Sequence, residues 1–224
     1  NAGCLKHHAM PMFSHLLHTA KQLLHKAQPC QLCGIVRADL HSVCLDCWQQ
    51  LPLHPQTIEK QELSIHVAGH YQYPLDHLIQ QFKYEQQLHW QPLLSGILQQ
   101  IRFPKVQAIV PMPISSQRLA ERGYNQSMIL AKDLAKQLNV PIWQPVIRLH
   151  QHSQKGLSRL ERLDQIHQQF KIDPQQRQYA KRYRRVLILD DVVTTGSSIQ
   201  ALTLQLEQLG CHKVSAACIA YALK

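Results

Sequence analysis

Glycine is scarce in this sequence, eight in 224 residues, and none of the eight falls into Gly-x-x-x-x-Gly-Lys-Ser/Thr or Gly-x-Gly-x-x-Gly. Both glycine-rich signatures for nucleotide phosphates are therefore absent. Long hydrophobic runs are absent too. The longest unbroken apolar stretch is residues 216–223, eight residues, against the roughly 20 that a membrane-spanning helix needs, so no membrane insertion is expected. Gly and Pro are too few for a collagen-like or low-complexity chain, and 45% hydrophobic with 17% charged residues is the composition of a globular domain. Acids are the minority charge. Fourteen Asp and Glu face 24 Lys and Arg, a formal net charge of +10 that grows as the 15 His protonate. Such an excess fits an anionic partner, nucleic acid and phosphorylated small molecule alike. No charged segment followed by an apolar one marks a signal peptide, so secretion by that route is not expected and the cysteines read as metal ligands or free thiols before disulfides. Residues 1–9 are given no structural role, with Met10 or Met12 as the expected start.

Four of the seven cysteines fall as Cys30-Gln-Leu-Cys33 and Cys44-Leu-Asp-Cys47, two C-x2-C pairs ten residues apart. Two residues between thiols let a tight turn aim both sulfurs at one point, and two such turns supply the four soft ligands of a tetrahedral zinc site. A closed four-thiolate site has no open position for catalysis, so its expected job is to fold a segment too small to bury a core. A redox dithiol is the competing use of these residues. His41 stands close enough to replace one cysteine. Cys4, Cys211 and Cys218 lack pair spacing, and Cys218 lies in an apolar run where a buried thiol is the default.

Four segments follow in order. Residues 1–28 hold a tail and an amphipathic helix, with Phe13, Leu16, Leu17, Ala20, Leu24 and Ala27 at helical spacing. Residues 29–50 form the four-cysteine module, and 51–61, with Pro52 and Pro55, read as a linker. The main domain is 62–224. There, β-type runs at 65–71, 106–110, 186–189 and 214–220 alternate with helix-like segments near 75–87, 91–101, 117–138 and 197–209. That alternation predicts an α/β fold whose parallel sheet has helices on both faces, with ligands bound beyond the carboxyl ends of its strands.

The chemistry concentrates in the run from Val186 to Ile199, a buried strand that ends in Asp190 and Asp191 and continues into Thr194, Thr195, Gly196, Ser197 and Ser198. A helix beginning near Ser197 presents unpaired backbone N–H groups and the positive end of its dipole to an anion. The hydroxyls add donors and Gly196 allows close approach, which makes a phosphate cradle. Ionised Asp190 and Asp191 accept hydrogen bonds only, so they suit ribose hydroxyls, directly or through Mg²⁺. The same residues also read as a plain helix cap beside two solvated acids. After the run at 106–110, the turn Met112, Pro113, Ile114 and Ser115 is placed to hold a diphosphate with its peptide groups. Arg118 and Arg122, four apart on one helix, face the same way and add guanidinium forks, or else line a solvated basic face.

The stretch from Leu189 to Ser198 resembles the phosphoribosyl pyrophosphate loop of type I phosphoribosyltransferases, in which the paired acids bind the ribose hydroxyls and the hydroxyl turn binds the 5′-phosphate. The chain as a whole resembles the competence protein F (ComF) family, a zinc module followed by a type I phosphoribosyltransferase domain. The likeness rests on the two cysteine pairs, on Pro74, Ile79 and Phe82-Lys83-Tyr84, and on Val110-Pro111-Met112-Pro113. It extends through Arg122-Gly123-Tyr124-Asn125-Gln126 and Gln154, Leu157, Glu161, Arg162 and Phe170. Gln151 and Gln165 depart from the Thr and Asn common there, and Met112 replaces Val. The polar stretch 148–162, with Gln154, Lys155, Arg159 and Arg162, reads as the mobile flap that type I enzymes close over the reacting centre, or else as a basic surface loop.

The resemblance implies a cytoplasmic protein that binds phosphoribosyl pyrophosphate with Mg²⁺, carries structural zinc, and handles incoming single-stranded DNA in natural transformation. It also leaves room for other DNA-processing proteins as partners. The alternative it implies is an active, Mg²⁺-dependent phosphoribosyltransferase that transfers phosphoribose to a base or amine and releases pyrophosphate. For nucleic acid, the expected contacts are Lys181, Arg182, Tyr183, Arg184 and Arg185, an aromatic inside four cations, and Trp48 in the cysteine module. A solvated basic turn is the plainer reading of the same run.

Overall fold

The computed structural model describes residues 28–149, 169–179 and 181–222. The chain divides into two compact units, residues 1–51 and 52–224.

In the first unit, residues 28–51 are described. They contain one short helix, α1 (Leu45–Gln49), and an isolated bridge between Pro29 and Arg37. Ala38, Val43 and Leu51 are the apolar side chains buried here besides Cys30 and Cys44, while Ile35, Leu40 and Leu45 are exposed. So few buried side chains cannot offset the chain entropy of ordering some twenty residues.

The second unit is built on a five-stranded sheet of β1 (Leu53–Lys60), β2 (Leu63–His70), β3 (Ala108–Pro111), β6 (Arg185–Val193) and β7 (Lys213–Tyr221), in the order β1-β2-β7-β6-β3. The β1–β2 pair is an antiparallel hairpin, and the other three pairings are parallel. Val186, Leu187, Ile188 and Leu189 are fully buried in succession, the unbroken apolar pattern of a strand covered on both faces. Burying each contributes about 1.5–3 kcal/mol. Successive side chains point to opposite faces. One face, with Ile65, Val110, Ile188 and Cys218, packs under α6 (Ser197–Gln208) through Ile199, Leu202 and Leu206. The other lies under α3 (Gln91–Leu98) and α5 (Gln126–Leu138), whose Leu93, Leu94, Ile97 and Leu130 are completely buried. The predicted two-faced α/β sheet is the observed one.

Two expectations change, and one sheet was not foreseen. Residues 53–60 are not a linker but the edge strand β1, which tolerates Pro55 because edge positions need no ladder donor and the register shifts between Leu53 and Gln56. The predicted helix at 117–138 is two helices, α4 (Ser116–Arg122) and α5. Gly123 takes a left-handed conformation that ends the first, and the Asn125 side chain caps the second by accepting from the Met128 N–H at 3.3 Å. A second sheet, β4 (Val146–Arg148) with β5 (Phe170–Ile172), has three-residue strands too short to show a period in sequence. The remaining helix, α2 (Leu75–Tyr84), follows β2 and buries Leu75, Leu78, Ile79 and Phe82. Among the described residues no helix is long and apolar enough to cross a membrane.

Gly69 pairs with Leu53 across the hairpin, and a Cβ there would run into the Pro52 carbonyl oxygen and lie 3.2 Å from the Leu53 Cα. Both obstacles are backbone. Gly69→Ala is expected to lower unfolding stability by about 1–3 kcal/mol, read from the urea midpoint. An unchanged midpoint would show that β1 does not pack on β2 in this register.

Candidate functional site

The strands β3 and β6 lie side by side and in parallel, so the turns that follow them open at the same end of the sheet. At the end of β6 the two acids have different surroundings. Asp191 is buried, and its Oδ1 accepts from the Val192 N–H at 2.9 Å. Asp190 is half-buried, accepts from the Asp191 N–H at 2.9 Å and from the Ser127 hydroxyl at 3.3 Å, and its carboxyl is pushed up to about 7 by burial and by the charge of Asp191. Beyond them, Thr194, Thr195, Gly196, Ser197 and Ser198 line a hollow of about 70 Å³ at the start of α6. Gly196 caps that helix with φ +82°, a conformation that favours glycine. The Thr195 and Ser197 hydroxyls lie 3.0 Å apart, and Lys60 Nζ donates to the Thr194 carbonyl at 3.0 Å.

A second hollow of about 190 Å³ adjoins it, sharing Asp190, Val192 and Ser198. Met112, Pro113 and Ile114 supply one wall, and Arg118, Arg122 and Arg148 contribute charge. The Met112 N–H donates to the Leu189 carbonyl at 2.9 Å and its carbonyl accepts from Asn125 Nδ2 at 3.0 Å, which ties the turn after β3 to both β6 and α5. Ser115 caps α4, accepting from the Arg118 N–H at 3.4 Å, and its backbone bridges to Arg148 of β4.

Two residues that the sequence did not single out as ligand contacts stand in this hollow, Arg148 being the first residue of the expected flap. Lys83, in the last turn of α2, places its ammonium 2.8 Å from Asp191 Oδ2 and 2.9 Å from Oδ1. Burial alone would push that ammonium down, but the Asp191 charge and hydrogen bond, with Asp190 behind them, hold it above the usual lysine range. The sequence signal was the Phe82-Lys83-Tyr84 pattern. Arg148 donates to Gln169 Oε1 at 2.8 Å and lies over the Phe170 ring at 5.4 Å, so its fork is fixed by β5. Burial and the nearby charges of Arg118 and Arg122 push Arg148 below the usual arginine range. Among the described residues, none of these three arginines has a carboxylate partner within 4.0 Å. Four cations around two acids at the mouth of a hydroxyl-lined hollow can hold a ligand with several negative charges and hydroxyl groups. The flap residues Gln154, Lys155, Arg159 and Arg162 lie outside the described residues, as do Gln151 and Gln165.

Residues 181–185 lie at the other end of β6, five residues or about 17 Å of strand from Asp190. Lys181, Arg182, Arg184 and Arg185 are exposed. Tyr183 is not free to stack on a base, because its ring packs edge-on against Trp143 at 5.1 Å beside the core. Arg182 covers the Tyr179 and Tyr183 rings at 5.5 and 5.3 Å. Trp48 is half-buried against His41, with ring centroids 5.1 Å apart.

The four paired cysteines come together. The Sγ atoms of Cys30, Cys33, Cys44 and Cys47 all lie within 4.8 Å of one another, and Cys33 and Cys44 are 3.9 Å apart. Tetrahedral zinc with bonds of about 2.3 Å requires sulfurs about 3.8 Å apart. The first pair sits on a turn closed by Gly34 N–H to the Cys30 carbonyl at 2.8 Å, and the second straddles the first turn of α1. Burial raises the Cys30 thiol, but backbone donors of Cys33, Cys44 and Leu32 outweigh it and bring it down to about 6. The cluster can hold a metal ion. His41 packs on Trp48 instead of joining the sulfurs. Cys211 and Cys218 are buried, their thiols pushed up chiefly by that burial, as inert core cysteines should be. Elemental analysis of protein purified without chelator is expected to find about one zinc per chain, lost in Cys33→Ser/Cys47→Ser. A metal-free parent protein with intact thiols would rule the centre out.

Comparison with known proteins places these features. The family described as "Phosphoribosyl transferase domain" matches residues 125–224. Competence protein F of Haemophilus influenzae is 29% identical over 197 residues, covering 83% of this chain and 81% of that protein. DNA utilization protein YhgH of Escherichia coli is 28% identical over 205 residues, 87% and 84% of the two chains. Among solved structures, glutamine phosphoribosylpyrophosphate amidotransferase from B. subtilis aligns at 16% identity with a TM-score of 0.40 over 56% of this chain, which spans about a quarter of that enzyme (25%). The chain is thus similar to competence protein F over most of its length and to the phosphoribosyl transferase domain family over residues 125–224, with a four-cysteine cluster ahead of that match.

Proposed function

We propose that the paired hollows at the carboxyl ends of β3 and β6 bind phosphoribosyl pyrophosphate with Mg²⁺, and that the protein does so while handling single-stranded DNA in the cytoplasm. The observation that carries the first half is the meeting of an acid pair, a hydroxyl-lined helix start and three arginines that have no carboxylate partner among the described residues, in adjoining spaces. The hollow at Thr194–Ser198 takes the 5′-phosphate on the free N–H groups of α6 and the hydroxyls of Thr194, Thr195, Ser197 and Ser198. Asp190 receives the ribose hydroxyls. The diphosphate lies toward Met112–Ser115, where Arg118, Arg122 and Arg148 offer forks to its oxygens. Carboxylate and hydroxyl oxygens are the hard donors that suit Mg²⁺, which when bound screens the diphosphate charge. The second half draws on the relatives' names, competence protein and DNA utilization protein, and on the exposed cations of 181–185. Zinc in the cysteine centre has the structural role of holding together residues 28–51, which bury few side chains of their own.

The second reading, an active phosphoribosyltransferase, is favoured by a cavity of about 710 Å³ that shares Pro113, Ile114, Asn125 and Arg148 with the ligand hollow and is otherwise walled largely by apolar side chains such as Leu119 and Ile147. That volume falls in the range of small-molecule sites, and an acceptor base fits its chemistry.

Calorimetric titration with phosphoribosyl pyrophosphate and Mg²⁺ is expected to show 1:1 binding that Asp190→Asn/Asp191→Asn weakens at least about 100-fold, the Asp190 contact and the charge that holds Lys83 in the hollow being lost together. Undiminished binding by that variant would overturn the site assignment. Pyrophosphate release that depends on an added base would establish the enzyme, and none despite tight binding would favour a binding protein. For single-stranded DNA, the affinity should fall linearly with log salt. Arg182→Gln/Arg184→Gln should reduce the slope by about 1.4, or 0.7 per phosphate contact. A slope unchanged by that variant would move the DNA contact away from 181–185.

A further inference from the structure

The acid pair is not symmetrical. Asp191 has only 4% of its side chain exposed and has committed both oxygens, Oδ1 to the Val192 N–H and to Lys83, and Oδ2 to Lys83. Asp190 is half-buried, and its neighbours are neutral donors, the Ser127 hydroxyl and a peptide N–H. An ammonium has three donors. Two of those of Lys83 go to Asp191, and among the described residues the third has no acceptor, while the side chain lines the same hollow as Arg118, Arg122 and Arg148. The smaller hollow at Thr194–Ser198 does not include Lys83. Lys83 comes from α2, far in sequence from the turns after β3 and β6, and among the described residues Asp191 is the side chain that hydrogen-bonds it there.

We propose that Lys83 is a ligand-binding residue whose ammonium contacts the diphosphate, and that Asp191 is its positioning residue and not itself a ribose contact. The inference rests on the phosphoribosyl pyrophosphate reading above and divides its labour: Asp190 serves the sugar, while Asp191 serves the diphosphate through Lys83. A carboxylate pinned by two donors of one ammonium orients that ammonium at the cost of its own availability. The arrangement also lets a negative side chain remain beside an anionic ligand without repelling it, because the charge facing the ligand is that of Lys83.

The test is a double-mutant cycle on the full chain with Lys83→Met, Asp191→Asn and Lys83→Met/Asp191→Asn. Each variant is titrated calorimetrically with phosphoribosyl pyrophosphate, inorganic pyrophosphate and ribose 5-phosphate, with and without Mg²⁺. The double variant carries no unpaired buried charge, so it keeps the test valid should a single variant fold poorly. The expected result is the same loss in all three, about 10- to 100-fold for phosphoribosyl pyrophosphate and for pyrophosphate. Ribose 5-phosphate affinity should stay within about 3-fold of the parent's, since that ligand has no diphosphate; a purely structural role would lower all three affinities together. Losses that multiply in the double variant, or a loss for ribose 5-phosphate equal to that for pyrophosphate, would overturn the assignment while leaving the site reading intact. Failure of the parent protein to bind either diphosphate ligand would overturn both.

Discussion

Asp191 is almost closed off from solvent, a charge so enclosed needs a paired cation, and at the end of β6 that cation is Lys83, delivered from a helix more than a hundred residues earlier in the chain. That ion pair fastens α2 to the loop that defines the site. Removing one partner of such a pair typically costs about 3–5 kcal/mol, because the other is left buried and uncompensated. The rest of the site is arranged around the same point: Asp190 next in sequence, Ser127 from the start of α5, and Met112 hydrogen-bonded to the Leu189 carbonyl just before the acids. Three separate stretches of chain thus converge on residues 189–191.

The parallel pairing of β3 with β6 explains why they converge there. Two parallel strands end on the same side, so the turn after β3, with its arginines, and the turn after β6, with its acids and hydroxyls, open toward each other. The opposite end of the sheet carries different chemistry. The cations of 181–185 begin β6, far from the acids, and their aromatic residue is absorbed into packing with Trp143. A ligand at one end and a polyanion at the other would not compete for the same side chains.

Much of this was legible in the sequence because it is local. The apolar run 186–189, the acids after it and the hydroxyl turn are consecutive, and the cysteine pairs announce their site by spacing alone. The reading failed where the information is not local. Lys83 and Asp191 are paired across 108 positions, and nothing in either neighbourhood specifies the partner. Arg148 is made rigid by Gln169 and Phe170, on a strand that has only three residues and no period to detect. Pro52 and Pro55 suggested a linker, yet an edge strand accepts proline, and whether 53–60 is an edge depends on the whole sheet. Gly123 and Asn125 did carry a local signal, a helix stop followed by a helix start, that the apolar periodicity of 117–138 masked.

The central claim is that one end of the sheet, and only that end, receives a phosphoribosyl diphosphate. Hydrogen exchange followed by mass spectrometry, with and without phosphoribosyl pyrophosphate and Mg²⁺, tests it most directly. The account predicts slowed exchange in peptides covering 112–122 and 190–199, with no change at 181–185 or in the cysteine unit at 28–51. Protection centred on 181–185, or on no part of 190–199, would contradict it.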